Sequence, residues 1–127
     1  MNIQHITKNN YNTLVEWYIG WDLPITPFSF IPKTAFIVDN VCAGFLYQLD
    51  NTPMFWVEGV VTNPAIKDKQ LKKIALCGLI KKLEESAFKQ GGKLLMSSTP
   101  RESLNTTFLS LGFKNTPENY FHLAKEL

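Results

Sequence analysis

Val61-Thr62-Asn63-Pro64-Ala65-Ile66-Lys67-Asp68-Lys69-Gln70-Leu71-Lys72-Lys73 joins an apolar, β-branched run to the longest helical pattern in the chain. Asn63-Pro64 is a turn signal that ends a strand. From Asp68 onward the apolar residues recur with helical spacing. A helix N-terminus carries unpaired N–H groups and a partial positive charge, and acidic residues normally collect there. Here four lysines lie in or just before the first turns. A bound anion, phosphate above all, would resolve that conflict. The plainer alternative is that the lysines are solvated, at a cost of about a few tenths of a kcal/mol each.

Upstream of this turn, Met54–Thr62 reads as a strand, Val41–Leu49 as a second and Thr34–Val38 as a third. Asp39-Asn40 suits a two-residue hairpin turn, because both residues tolerate positive φ. Further upstream, Asn10 is a candidate N-cap for a helix with Tyr11, Leu14, Val15, Tyr18 and Ile19 on one face, stopped by Gly20. Asn2–Ile6 is a short first strand. Trp21–Pro32 has prolines at 24, 27 and 32 and is neither helix nor central strand. A loop that apolar must cover the core or line a pocket.

Downstream, the long helix runs to about Gln90. Leu71, Ile74, Ala75, Gly78, Leu79 and Leu83 form its apolar face, widened by Leu76, Ile80 and Ala87. Gly91-Gly92 stops it. Lys93–Ser98 is a strand, and so short a return predicts a crossover that sets it parallel to Met54–Thr62. Glu102–Leu111 is a helix ended by Gly112, and Asn119–Lys125 is a closing strand. The order is β-α-loop-β-β-β-α-β-α-β, an α/β (α+β) single domain over residues 1–127.

Composition narrows the function. The chain has 127 residues, 45% of them hydrophobic, with 13 basic and 11 acidic residues and a net charge of +2. That is a globular composition, not a disordered or collagen-like one. No apolar run is long enough to cross a bilayer, and the N-terminal segment is too polar for a signal peptide. A cytoplasmic protein with no membrane partner is expected. Cys42 and Cys77 are too few for a disulfide framework or a thiolate zinc site, and His5 and His122 stand apart, so no metal is expected. Twelve of the basic residues are lysine and one, Arg101, is arginine. Sequence-specific DNA readers use more arginine, and single-strand binding through lysines and aromatics has only the mild charge excess behind it.

Glu58 is the one charged residue in Phe55-Trp56-Val57-Glu58-Gly59-Val60-Val61. Apolar surroundings would raise its pKa and suit it to act as a general base. The plainer alternative is that Glu58 pairs with a lysine or sits at a polar sheet surface. Gly59 beside it marks a bulge or a close approach, either of a ligand or of a bulky neighbour. Ser97-Ser98-Thr99 caps the next helix or touches a ligand. The sequence has no nucleophile elbow, P-loop or dinucleotide fingerprint.

Taken together, the chain resembles the GNAT family of acyl-CoA-dependent N-acyltransferases. Val60-Val61-Thr62-Asn63-Pro64 looks like the end of the family's fourth strand, and 79–87 like the body of the next helix. Phe108-Leu109-Ser110-Leu111-Gly112-Phe113 is similar to the family's Tyr-x-x-Leu-Gly-Phe ending. Tyr120-Phe121-His122-Leu123-Ala124-Lys125 looks like its closing strand. The Pro-rich segment before Ala35-Phe36-Ile37-Val38 also resembles short GNAT-like proteins of phage genomes. The family's phosphate loop, Gln/Arg-x-x-Gly-x-Gly/Ala, is matched by Lys67-Asp68-Lys69-Gln70-Leu71-Lys72, with both glycines replaced. The tyrosine that often serves as general acid is matched by Phe108.

The resemblance implies a mixed sheet whose two central parallel strands splay apart around acetyl-CoA. Val60, Val61 and Thr62 would hold the pantetheine arm. Lys67, Lys69, Gln70, Leu71 and Lys72 would meet the pyrophosphate, and Asn105 and Phe108 would border the thioester. Glu58 would be the base, and Trp21, Phe28 and Phe30 would shape the pocket of a small-molecule or peptide amine. Many such proteins pair, so a homodimer is compatible with the resemblance. The rival expectation, favoured by the missing glycines and by Phe108, is a catalytically degenerate module that binds a protein, such as a phage factor acting on a host protein.

Overall fold

A computed structural model describes residues 1–116 and 123–127. Strands β1 (Ile3–His5), β2 (Thr34–Val38), β3 (Cys42–Gln48), β4 (Met54–Thr62) and β5 (Leu94–Ser97) form one five-stranded sheet in that spatial order. The first four are antiparallel neighbours, and β5 lies parallel to β4. Helix α1 is Tyr11–Gly20, α2 is Lys69–Lys89 and α3 is Glu102–Ser110, with a short 3-10 turn at Phe28–Phe30. The expected closing strand Asn119–Lys125, with its His122, falls largely outside the described residues. Residues 123–127 have no regular structure and are exposed.

The sheet is buried on both faces, and strand alternation divides its side chains. Phe36, Val38, Cys42, Leu46, Phe55 and Val57 pack against Ala75, Leu79, Ile80, Leu83 and Ala87 of α2 and Phe108 of α3. Ala35, Ile37, Ala43, Phe45 and Val61 pack against Leu14, Trp17 and Tyr18 of α1. Phe55 and Val57 thus face α2, whereas Val61, of the same parity, faces α1. A bulge makes the switch. Phe45 pairs with Glu58 and Ala43 with Val61, so Gly44 alone faces both Gly59 and Val60. Gly59 has φ +66°, the left-handed conformation that glycine adopts at such a bulge.

Several local expectations are corrected. Val38 pairs with Cys42, so the hairpin turn has three residues, Asp39, Asn40 and Val41. Asn10 sits at the start of α1 but caps no helical N–H; its side chain accepts from the Thr7 N–H and donates to the His5 carbonyl. Gly20 is the last residue of α1, and what it provides is room. A Cβ there would lie 2.5 Å from Pro64 Cγ, so α1 docks tightly on the β4–α2 turn. The buried face of α1 includes Trp17, and Ile19 is exposed. On α2, Ile74 and Leu71 are exposed, and the inward stripe is carried by Ala75, Leu79, Ile80, Leu83 and Ala87. Both helices presented more apolar residues than one face can hold, and the choice among them was made by tertiary packing.

Candidate functional site

The β4–β5 ladder covers only Met54–Leu94, Phe55–Leu95, Trp56–Met96 and Val57–Ser97. Beyond Val57, β4 runs on to Thr62 while the chain after Ser97 turns away into α3. The Ser97 hydroxyl donates to the Val57 carbonyl (2.9 Å) and pins the vertex of the fork. The bulge at Gly59 and Val60 lies just beyond it, and the added residue bends the strand where pairing stops. The expected splay of two parallel strands is therefore present.

A cleft of about 550 Å³ fills the opened side. One wall is Val60 and Thr62 of β4 with Lys69, Lys72, Lys73 and Leu76 of α2. The other is Arg101, Ser103, Leu104, Thr106 and Thr107 at the start of α3, and Trp21 closes one end. Lys69, Lys72 and Lys73, spaced i, i+3 and i+4, share one helix face. Among the described residues, four cationic side chains line the cleft and no carboxylate does. Such a lining fits a polyanion.

The helix terminus is arranged differently from the expected phosphate loop. Asp68 Oδ1 accepts from the Gln70 and Leu71 N–H groups (3.0 and 3.1 Å), the usual role of an N-cap aspartate. Those two amides are thus engaged by the chain itself, and neither Gln70 nor Leu71 lines the cleft. Lys67 is exposed and also lies outside it. Asn63 builds the turn: its side chain donates to the Asn40 carbonyl (2.9 Å) and accepts from the Ala65 N–H (2.9 Å).

Residues expected on α3 are displaced from the cleft. At 100° per residue, Ser103, Leu104, Thr106 and Thr107 define one side of the helix and Asn105 the other. Phe108 is buried in the core, edge-on to Phe113 at 4.8 Å. The sequence reading missed Arg101, Ser103, Thr106 and Thr107; Lys73 belongs to the lysine cluster it singled out, though not to the stretch matched to the phosphate loop. The lone arginine was visible in the composition, but nothing in the pattern placed it opposite the lysines.

Trp21, expected among the acceptor residues, belongs to the cleft. Its Nε1 donates to the Thr62 carbonyl (2.6 Å), and the Arg101 guanidinium lies over its ring, 5.5 Å from the centroid. The other acceptor candidates are on the α1 side of the sheet. Phe28 meets the Tyr11 ring edge-on at 5.4 Å, and the Tyr47 hydroxyl donates to the Phe30 carbonyl (2.9 Å). The Phe30 side chain is exposed.

Glu58 pairs with Phe45 and so shares the α1 face, across the sheet from the lysines. Its side chain is exposed, so the enclosing apolar surroundings expected of it are absent. Burial and the charge of Glu58 raise the Tyr47 pKa above the usual tyrosine value. Thr99 Oγ1 accepts from the Arg101 N–H (3.1 Å), a local turn bond just ahead of α3; among the described residues no side chain caps the helical N–H groups, so the capping expected of Ser97-Ser98-Thr99 is not what the segment does. Among the described residues no group of three His, Cys, Asp or Glu side chains could hold a metal, and no helix is long and apolar enough to cross a membrane.

No known family model and no curated protein matches the chain in sequence. Solved structures match it in shape. A variant of TTHA1254 from Thermus thermophilus superposes with a TM-score of 0.78 at 14% identity, over 100% of this chain and 99% of that one. The aminoglycoside N-acetyltransferase AAC(6')-Iy, solved with CoA, gives 0.66 at 16% identity, over 98% and 99% of the two chains. The aminoglycoside 6'-N-acetyltransferase AAC(6')-IG from Acinetobacter haemolyticus gives 0.63 at 17% identity, over 100% and 99%. The fold is the GNAT fold expected from the sequence.

Proposed function

We propose that this chain is an acyl-CoA-dependent N-acetyltransferase that moves an acetyl group to a primary amine. The observation that carries the reading is that β4–β5 pairing stops at Val57–Ser97 beside a cleft whose charged side chains, among the described residues, are all cationic. Polyanion chemistry on one face and a carboxylate with aromatic residues on the other suit two reactants that approach from opposite sides. The similarity of shape to acetyltransferases, one of them solved with CoA, supports the same reading.

Acetyl-CoA would supply an acyl carbon activated as a thioester. Lys69, Lys72, Lys73 and Arg101 would hold its phosphates, and Val60 and Thr62 would wall the pantetheine arm. The amine would approach from the α1 face, beneath the loop that carries Phe28 and Phe30. Glu58 would take the amine proton, directly or through water, as nitrogen bonds to the acyl carbon and the carbon–sulfur bond breaks. Water would return a proton to the sulfur, because Phe108 has none to give and points into the core. Most of the acceleration would come from holding the two reactants in register.

The test is calorimetric titration with acetyl-CoA, followed by thiol-release assays across small amines, aminoglycosides and peptides. Binding with amine-dependent thiol release is expected. No binding at millimolar acetyl-CoA would overturn the proposal.

A further inference from the structure

Three of the cleft's four cations come from one side. Lys69, Lys72 and Lys73 stand on α2 next to the end of β4, whereas Arg101 reaches in from α3. The two groups differ in chemistry as well as in place. Ammonium groups act as point charges, and a guanidinium offers a planar fork suited to two oxygens of one phosphate. Arg101 also lies over the Trp21 ring, and Trp21 is held in place by its bond to the Thr62 carbonyl. One spot therefore combines an aromatic face with a bidentate cation.

CoA has a matching end. Its adenine ring and its 3′-phosphate sit together on one ribose, while the diphosphate lies further along the chain. A phosphomonoester carries a charge of about −1.5 to −2 at neutral pH. Arg101 covers one face of the Trp21 ring, and a base stacks on an aromatic face or on a guanidinium plane. We infer that Trp21 and Arg101 form the subsite for the 3′-phosphoadenosine end of the ligand, with the α2 lysines left to the diphosphate. This assignment rests on the acyl-CoA reading and adds to it a specificity: the chain discriminates between ligands that have and lack the 3′-phosphate.

The experiment titrates CoA and 3′-dephospho-CoA into the wild-type protein, Arg101→Gln and Arg101→Lys, and compares the affinity ratio within each. A charge-assisted bidentate contact predicts a wild-type preference for CoA of roughly ten- to a hundredfold. Arg101→Gln should cut that ratio at least about fivefold through weaker CoA binding, and leave 3′-dephospho-CoA almost unchanged. Arg101→Lys should fall between. Loss of affinity for both ligands alike, or for neither, would overturn the subsite while leaving the acyl-CoA reading intact. If wild-type protein binds neither nucleotide, the acyl-CoA reading itself fails.

Discussion

The Phe45 ring occupies the space that a side chain on Gly59 would need: a Cβ at Gly59 would collide with Phe45 Cδ2 and Cε2. This contact sits in the bulge that turns Val61 toward α1 and just beyond the last β4–β5 pair. Glycine is thus required twice over at this position, for its positive φ and for the ring above it. The fork of the sheet and the division of the core between two helical layers share this one joint.

Gly59→Ala should therefore destabilise the fold by about 2–4 kcal/mol, from left-handed strain together with overpacking. Urea unfolding measures the loss. Because part of it is the collision with Phe45, Gly59→Ala combined with Phe45→Ala should lose less than the sum of the two single changes. Strict additivity would mean that the ring is not what excludes a side chain.

The lysines divide by position. Lys69→Ala, Lys72→Ala and Lys73→Ala should each weaken CoA binding by roughly fivefold, about 1 kcal/mol, and flatten its salt dependence. Lys67→Ala should change it less than about twofold, since Lys67 is outside the cleft. Titrations at low and high salt decide the matter. An equal loss at Lys67 would show that the ligand follows the turn itself.

Why the sequence exposed the fork but not the lining is a matter of range. Strand and helix periods are local, so β2, β4 and the α2 start emerged within a residue or two. Gly59 in an apolar strand was a local sign of the bulge. Asp68 stood in the quoted turn, yet the count of lysines around it hid its role as a cap. Arg101 and Trp21 are 80 positions apart, and only folding brings them together. The inward face of α2 was ambiguous because Ile74 and Ile80 are both apolar, and only the sheet below selects Ile80.

Glu58→Gln tests the base. The side chain lies across the sheet from the cations, so CoA affinity should stay within about twofold while turnover falls by roughly a hundredfold or more, the usual contribution of a general base. Steady-state kinetics with separate CoA titration makes the comparison. Unchanged turnover removes Glu58 from the reaction and leaves proton removal to solvent.

Alkaline pH should destabilise the protein through Cys42. Burial, with a smaller contribution from Asp39, pushes its thiol from 9.0 up to about 12. An unfolded chain ionises that thiol first and so binds fewer protons than the folded one. Stability then falls as pH rises from about 9 toward 12, at up to about 1.4 kcal/mol per pH unit for this group. Cys42→Ala should flatten that slope, although it loses some packing. Tyr18 and Tyr47, both raised, add to the fall above pH 10. Denaturant midpoints across alkaline pH read the effect.

Phe108→Tyr asks whether a hydroxyl at this position could serve as the general acid that the sequence resemblance leads one to expect. Were Phe108 to face the fork, restoring the hydroxyl would raise turnover. Its ring is instead buried with Phe36, Leu79 and Phe113, and cleft access on α3 belongs to Ser103, Leu104, Thr106 and Thr107. A phenol at that position would bury a polar group with no expected partner, at a cost of roughly 1–3 kcal/mol. The expected outcome is a lower unfolding midpoint with no gain in kcat and no new alkaline limb in the pH profile. A gain in kcat would show that α3 rotates to bring residue 108 to the fork when ligand binds, and would return the general-acid role to this position.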